Sequence, residues 1–287
     1  MKKVFLIILC LLLAGCSERT IALETGDINV FTYEDETFAF DLHSHGYLLV
    51  DLSDFVRLYA LNNDVPMYPA SLTKVLTMDT VLNLESDLSQ TSSLSREQLQ
   101  YLIDEDASLA YIHVEEEYTL KDLLYALMLP SGADGALALE NYFAARGIDL
   151  VAEMNRHALE IGCTNSHSVN TTGLHDDDHY TSLDDLFLIV MDALKFEEGR
   201  HLLESLFYTM EDGQEIATGI RLISYNAFTE VLGGKTGYTP EAGQNVIVLY
   251  KYRGKSYVLM LANAMGSYSL NQYWHYDDAL TVFENLY

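Results

Sequence analysis

A chain of 287 residues, 49% hydrophobic and 21% charged with four prolines, can bury a sizeable core and fits one large domain or one with an embedded subdomain. Acids outnumber bases 43 to 16, a formal net charge of −27, which argues against nucleic acid and against electrostatic binding to anionic lipid. The same imbalance makes any lysine in a pocket conspicuous.

Lys2 and Lys3 precede an apolar run, residues 4–13, too short to span a bilayer as a mature anchor, so residues 1–15 read as an export signal. The run ends in Leu13-Ala14-Gly15-Cys16, which resembles the lipobox of bacterial lipoproteins. That resemblance implies cleavage before Cys16 and a diacylglycerol on its sulfur; the plainer alternative is an ordinary cleaved signal with an incidental cysteine. Two acyl chains suffice for stable anchoring. Cys10 leaves with the signal, which strands Cys163 without an intrachain disulfide partner and makes it a small core hydrophobe.

Residues 16–37 are polar apart from a strand-like run at 28–33 and read as a tether, with the folded part beginning near Phe38. Two β-like runs, 46–51 and 56–60, flank Ser53-Asp54 as a hairpin. Pro69-Ala70-Ser71-Leu72-Thr73-Lys74 then opens a helix that reaches about Leu84. Ser71 and Lys74 fall on one face a turn apart. A serine hydroxyl needs a base to become a nucleophile, and a lysine is that base only if its amine is held neutral. On its own the pair reads equally as a capping serine beside a surface lysine.

The middle of the chain is helical. A short helix and loops cover 94–106, and Thr119 with Asp122 caps a leucine-rich helix that halts at Pro130. Ser131-Gly132-Ala133-Asp134 forms a loop before a helix from Gly135 to about Ala145; Ser131 is either lifted toward a neighbouring site or another helix cap. A helix at 151–161 leads into a polar loop, 168–180, with His175, Asp176, Asp177, Asp178 and His179. Their spacing matches neither a His-Glu-x-x-His site nor a calcium loop, so no metal and no cofactor are expected. Thr181 and Ser182 with Asp184 and Asp185 cap a last apolar helix ending near Leu194.

Gly233-Gly234-Lys235-Thr236-Gly237-Tyr238 follows on a strand, its glycines permitting close approach of another backbone or a ligand. Runs at 245–252 and 257–264, joined through Arg253-Gly254-Lys255, continue an antiparallel meander, and a helix at 273–286 closes the chain. Strands at both ends with helices between give an α+β fold.

Ser71-x-x-Lys74, Ser131, Asn170-x-Thr172-Gly173-Leu174 and Lys235-Thr236-Gly237, in that order, resemble the low-molecular-weight penicillin-binding proteins, the D-alanyl-D-alanine carboxypeptidases of the penicillin-recognising serine enzymes. The resemblance implies a β-lactamase/transpeptidase-like architecture for residues 38–287: an antiparallel sheet flanked by helices, from about 38–80 and 220–287, with an all-helical insertion at about 81–219. It implies that Ser71 attacks the terminal D-Ala-D-Ala bond of peptidoglycan stem peptides with Lys74 as base. Ser131 would bridge Lys74 and Lys235 and relay a proton to the leaving D-alanine, while Lys235 repels a charge on Lys74. Lys235 and Thr236 would bind the terminal carboxylate beside Gly237, and the N–H groups of Ser71 and Tyr238 would form the oxyanion hole. β-Lactams would acylate the same serine, and the lipid on Cys16 would hold the enzyme at the extracytoplasmic face of the membrane in place of a C-terminal amphipathic anchor.

One position departs from the pattern. Ala133 stands where the family commonly has an asparagine that contacts the substrate amide and a catalytic lysine, with Asp134 as a partial substitute. Two other readings stay open: a class A-like β-lactamase, although no Glu-x-x-Leu-Asn deacylation loop occurs, and a non-catalytic wall- or β-lactam-binding lipoprotein, motivated by Ala133.

Overall fold

The computed structural model describes residues 20–23, 26–29, 31–32, 36–223 and 229–285. The export signal and Cys16 lie outside the described residues. In chain order the elements are β1 (Thr20–Leu23), β2 (Gly26–Asn29), β3 (Phe31–Thr32), β4 (Gly46–Asp51), β5 (Val56–Leu61), α1 (Thr73–Leu84), β6 (Thr91–Ser92) and α2 (Arg96–Asp104). There follow β7 (Tyr118–Thr119), α3 (Leu120–Met128), α4 (Ala133–Ala144), α5 (Leu150–Glu160), α6 (Leu183–Ala193), α7 (Glu197–Glu204), β8 (Phe207–Thr209) and β9 (Glu215–Ala217). The chain closes with β10 (Thr229–Thr239), β11 (Gly243–Tyr252), β12 (Lys255–Ala264) and α8 (Trp274–Asn285).

Six strands form the main sheet in the order β10-β11-β12-β4-β5-β3. All neighbours are antiparallel except the two-residue β3, which runs parallel to β5. The sheet therefore starts at Phe31, inside the stretch read as a tether, and β1 and β2 pair as a hairpin ahead of it.

Both sheet faces are covered, which explains why β4, β11 and β12 read as almost continuous apolar runs. Alternate side chains go to opposite layers. Tyr47, Leu49, Val248, Tyr250, Leu259 and Leu261 pack with Val282 and Phe283 of α8. Leu48, Val50, Ile247, Leu249, Val258 and Met260 face the other way into a core shared with α1, α3, α4 and α6. The mainly helical stretch 81–219, which also carries the short sheets β6–β7 and β8–β9, is joined to the main sheet through one hydrophobic cluster with α1 at its centre: every residue of α1 from Thr73 to Leu82 is buried.

Local signals explain most boundaries. Ser95 and Gln98 form a reciprocal capping box on α2, Thr119 Oγ1 accepts the Asp122 N–H, and Ser182 Oγ accepts the Asp185 N–H. α4 begins at Ala133, earlier than the glycine at 135 suggested, with Gly132 as its N-cap. Among the described residues, no helix is long and apolar enough to cross a membrane.

Candidate active site

Ser71 lies in a 3₁₀ turn, Ala70–Leu72, that runs directly into α1. Its backbone is held in an unusual shape. Ala70 sits at φ +48°, left-handed territory that a residue with a Cβ occupies at a cost of about 1–3 kcal/mol. Several contacts maintain it. Thr73 Oγ1 donates to the Ala70 carbonyl at 2.7 Å, and Asn245 Nδ2 on β11 donates to the Tyr68 carbonyl at 3.1 Å. Gly237 on edge strand β10 passes so close that a Cβ there would stand 2.8 Å from the Pro69 oxygen and 3.2 Å from the Ser71 nitrogen. Gly173, at φ +78°, approaches from the opposite loop; a Cβ there would fall 2.0 Å from the Ala70 oxygen.

The helix brings Lys74 under Ser71. Lys74 Nζ donates to Ser71 Oγ at 2.9 Å and to the Thr172 carbonyl. Asn170 folds the loop that presents this carbonyl: its Oδ1 accepts from the Thr172 and Gly173 N–H groups, and its Nδ2 donates to the Leu174 carbonyl. Lys74 is 2% exposed, and burial brings its amine down to about 7 against the opposing pull of the Asp134 charge. Burial, rather than the expected repulsion from Lys235, is the leading cause. At that value the amine is available both as a proton acceptor and as a proton donor near neutral pH.

On β10, near enough to Lys74 to feel its charge, Lys235 Nζ donates to Ser131 Oγ at 2.8 Å and to the Thr236 carbonyl at 2.9 Å. Ser131, at φ +65°, is lifted out of regular structure in the Leu129–Ala133 turn as its sequence position suggested. Its hydroxyl engages the Lys235 side of the expected bridge between the two lysines. Lys235 is 1% exposed; burial, reinforced by the charge of Lys74, pushes its amine well below the ordinary lysine range. An adjacent negative charge would favour the ammonium form. Thr236, Gly237 and Tyr238 extend along β10, and Tyr238 lines a cleft of about 470 Å³ together with Ser71, Lys74, Ala133, Thr172 and Leu174. As an edge strand, β10 presents unpaired backbone groups on its outer side.

The departure at the second motif has a visible consequence. Ala133 lines the cleft without a polar group. Asp134 does not take over: Oδ1 accepts from the Ala110 and Gly135 N–H groups and Oδ2 from Ile112, so the carboxylate holds the loop beside the cleft.

Sequence reasoning missed three supports. Thr172 acts through a backbone carbonyl, for which only the Asn170 turn gave a signal. Asn245 is a fully buried polar residue beside the apolar centre of β11, a position that demands hydrogen bonds. His179, considered only as a metal ligand, turns inward. Because the Thr73 hydroxyl proton is committed to Ala70, Thr73 Oγ1 accepts from His179 Nε2 at 2.8 Å, while His179 Nδ1 accepts the Val169 N–H at 3.4 Å.

A family model described as peptidase S11, D-alanyl-D-alanine carboxypeptidase, matches residues 31–265. The chain belongs to this family. Among curated relatives, the D-alanyl-D-alanine carboxypeptidase DacF of Bacillus subtilis is 28% identical over 190 residues, covering 64% of this chain and 48% of its own. The chain thus spans about half the length of that relative. A Streptomyces D-alanyl-D-alanine carboxypeptidase is 28% identical over 218 residues, covering 70% of this chain and 74% of its own. Among solved structures, a mutant of the Streptomyces K15 DD-transpeptidase superimposes with a TM-score of 0.74 at 25% identity, covering 85% of this chain and 98% of the other. For an S11 peptidase, the pairing of Ser71 with Lys74 and of Ser131 with Lys235 gives the family motifs a physical arrangement in this chain.

Proposed function

We propose that this chain is a serine D-alanyl-D-alanine carboxypeptidase that trims the terminal D-alanine from peptidoglycan stem peptides through an acyl-enzyme on Ser71. The observation that carries the reading is the buried, depressed amine of Lys74 at 2.9 Å from Ser71 Oγ. Neutral Lys74 takes the hydroxyl proton as Ser71 Oγ bonds to the scissile carbonyl carbon. The carbonyl oxygen gathers negative charge, for which the Ser71 and Tyr238 N–H groups are the candidate donors, each typically worth a few kcal/mol. The C–N bond then breaks, and the leaving amine takes a proton delivered through Ser131. Water releases the acyl group. Lys235 and Thr236 hold the terminal carboxylate, which in a chain of net charge −27 needs a dedicated cation. The same machinery opens a β-lactam ring and leaves Ser71 acylated.

Residues 1–15 and Cys16 support a lipid-anchored protein on the extracytoplasmic face of a bacterial membrane. Intact-mass measurement of the membrane-extracted protein tests this through a diacylglycerol-modified Cys16 at the new N-terminus.

The decisive assay is D-alanine release from a peptide ending in D-Ala-D-Ala. Release that Ser71→Ala abolishes is expected; release that survives Ser71→Ala overturns the assignment. Ala133 favours one competing reading, a ligand-binding lipoprotein without turnover, which predicts penicillin acylation but no D-alanine release. Rapid hydrolysis of penicillin, instead of a lasting adduct on Ser71, marks a β-lactamase.

A further inference from the structure

Away from the catalytic cleft, three helices bring polar side chains into the core at one point. Asp79 lies on α1, His157 on α5 and Asp192 on α6, and all three are buried. His157 Nε2 stands 2.9 Å from Asp79 Oδ2 and 3.3 Å from Asp192 Oδ2, with the amide nitrogen of Asn83 at 3.1 Å. One ring nitrogen carries at most one proton, so it cannot satisfy both carboxylates and the amide with good hydrogen bonds. Asp79 Oδ1 has no hydrogen-bond partner among the described residues although Asp79 is 0% exposed, an arrangement that is ordinarily destabilising.

The donor atoms of Asp79, His157 and Asp192 all lie within 4.8 Å of one another. Around zinc, ligands at about 2.0–2.2 Å define a tetrahedron with edges of roughly 3.3–3.6 Å; the His157–Asp192 spacing of 3.3 Å matches it, and the 2.9 Å between His157 and Asp79 needs only a small opening. One imidazole nitrogen with two carboxylate oxygens is a donor set that zinc and its neighbours accept. An entry path exists. Asn83, Asp192 and Lys195 line a cleft of about 750 Å³ that shares no lining residue with the one at Ser71.

We propose that Asp79, His157 and Asp192 form a binding site for one zinc-class divalent cation that ties α1 to α5 and α6. Asp192 pairs with Lys195, whose 31% exposure lets it swing off Asp192 as the ion arrives. Asp79 Oδ1 then gains either the ion or an ion-bound water as partner. Because α1 also carries Lys74, the ion braces the catalytic helix from behind without touching the reaction.

The test is titration of the full chain with Zn²⁺, and with Co²⁺ as a spectroscopic probe. The expected result is one ion per chain, d–d bands without a thiolate charge-transfer band, and a rise in Tm. His157→Gln and Asp192→Asn should each weaken binding by more than about tenfold, while His175→Ala, at the surface, should leave it unchanged. Absence of saturable binding to the wild-type chain overturns the proposal even if the variants fail to fold. So does binding that the His157 and Asp192 variants retain, or that His175→Ala removes, since the ion is then held elsewhere. Either result leaves a buried histidine–aspartate hydrogen-bond network.

Discussion

Lys74 Nζ stands 2.9 Å from Ser71 Oγ and also donates to the Thr172 carbonyl, so the proposed base is aimed by a backbone oxygen that cannot titrate. Its pH dependence follows. Only the neutral amine takes the serine proton, so the rate of penicillin acylation should rise with pH through about 7 and level off above it. Stability moves in the same direction. The unfolded chain holds the lysine proton up to about 10.4 while the folded chain has already released it, so the unfolded state binds more protons between those values and folding gains as pH rises across them. Stopped-flow acylation from pH 5.5 to 9 checks the first claim; an activity limb absent near 7 would remove Lys74 as the base. Lys74→Ala should lower acylation by about 10²–10⁴-fold with little change in Tm.

Ala133 leaves one wall of the cleft without an amide, and both oxygens of Asp134 are occupied by backbone N–H groups. Ala133→Asn should therefore raise kcat/KM for a D-Ala-D-Ala peptide by about tenfold, equivalent to one hydrogen bond of about 1.4 kcal/mol. Penicillin acylation should gain less if the amide serves the peptide backbone. The larger side chain enters a packed position, so some loss of Tm accompanies the gain, at an overpacking cost of about 1–3 kcal/mol. Unchanged peptide turnover in a folded variant would show that position 133 does not limit this enzyme.

Much of this site was readable because its chemistry sits in contiguous motifs. Ser71 and Lys74 are one helical turn apart, and Lys235 with its flanking glycines marks a strand that another backbone must approach. What stayed hidden is tertiary. The Thr172 carbonyl has no side-chain signature, and His179 meets Thr73 only because the polar loop doubles back over α1. The fold was legible where period and caps agreed, as on α3, α6 and the β11–β12 hairpin. It was not legible at α7, where a short polar helix contains Gly199, nor at the two-residue strands β6 and β7, too brief to show alternation. The leading role of burial in depressing Lys74 also lay beyond sequence, since α1 is enclosed by helices and sheet strands distant in the chain.

We infer that His179 positions Ser71. Its Nε2–H fixes the Thr73 hydroxyl, which fixes the Ala70 carbonyl of the left-handed turn, and its Nδ1 ties in Val169 of the loop that presents Thr172. Burial drives its imidazole down to about 4, so it stays neutral wherever the enzyme works. His179→Ala should cut acylation by up to about 100-fold through misplacement of the nucleophile, while His179→Gln, which keeps an amide donor, recovers part of it. A general loss of packing would lower Tm in both variants without separating them in rate. The acid limb near 7 should survive in each, because it belongs to Lys74.

Gly173 offers the sharpest test of how the nucleophile turn is enclosed. Its φ of +78° is one that alanine adopts with difficulty, and a Cβ there would meet the Ala70 oxygen at 2.0 Å. Neither partner can yield cheaply, because Ala70 is itself left-handed and its carbonyl is held by Thr73. Gly173→Ala should therefore displace the turn, the Thr172 carbonyl and Lys74 together, with a stability loss above about 3 kcal/mol and acylation too slow to follow. Gly147→Ala is the matched control: it has a similar φ of +73° with nothing within 4 Å of the added Cβ. That variant should lose only the backbone cost of about 1–2 kcal/mol and keep full acylation. Equal damage from the two substitutions, measured by urea unfolding and penicillin labelling, would mean that strain at the glycine, and not contact with Ala70, sets the requirement at position 173.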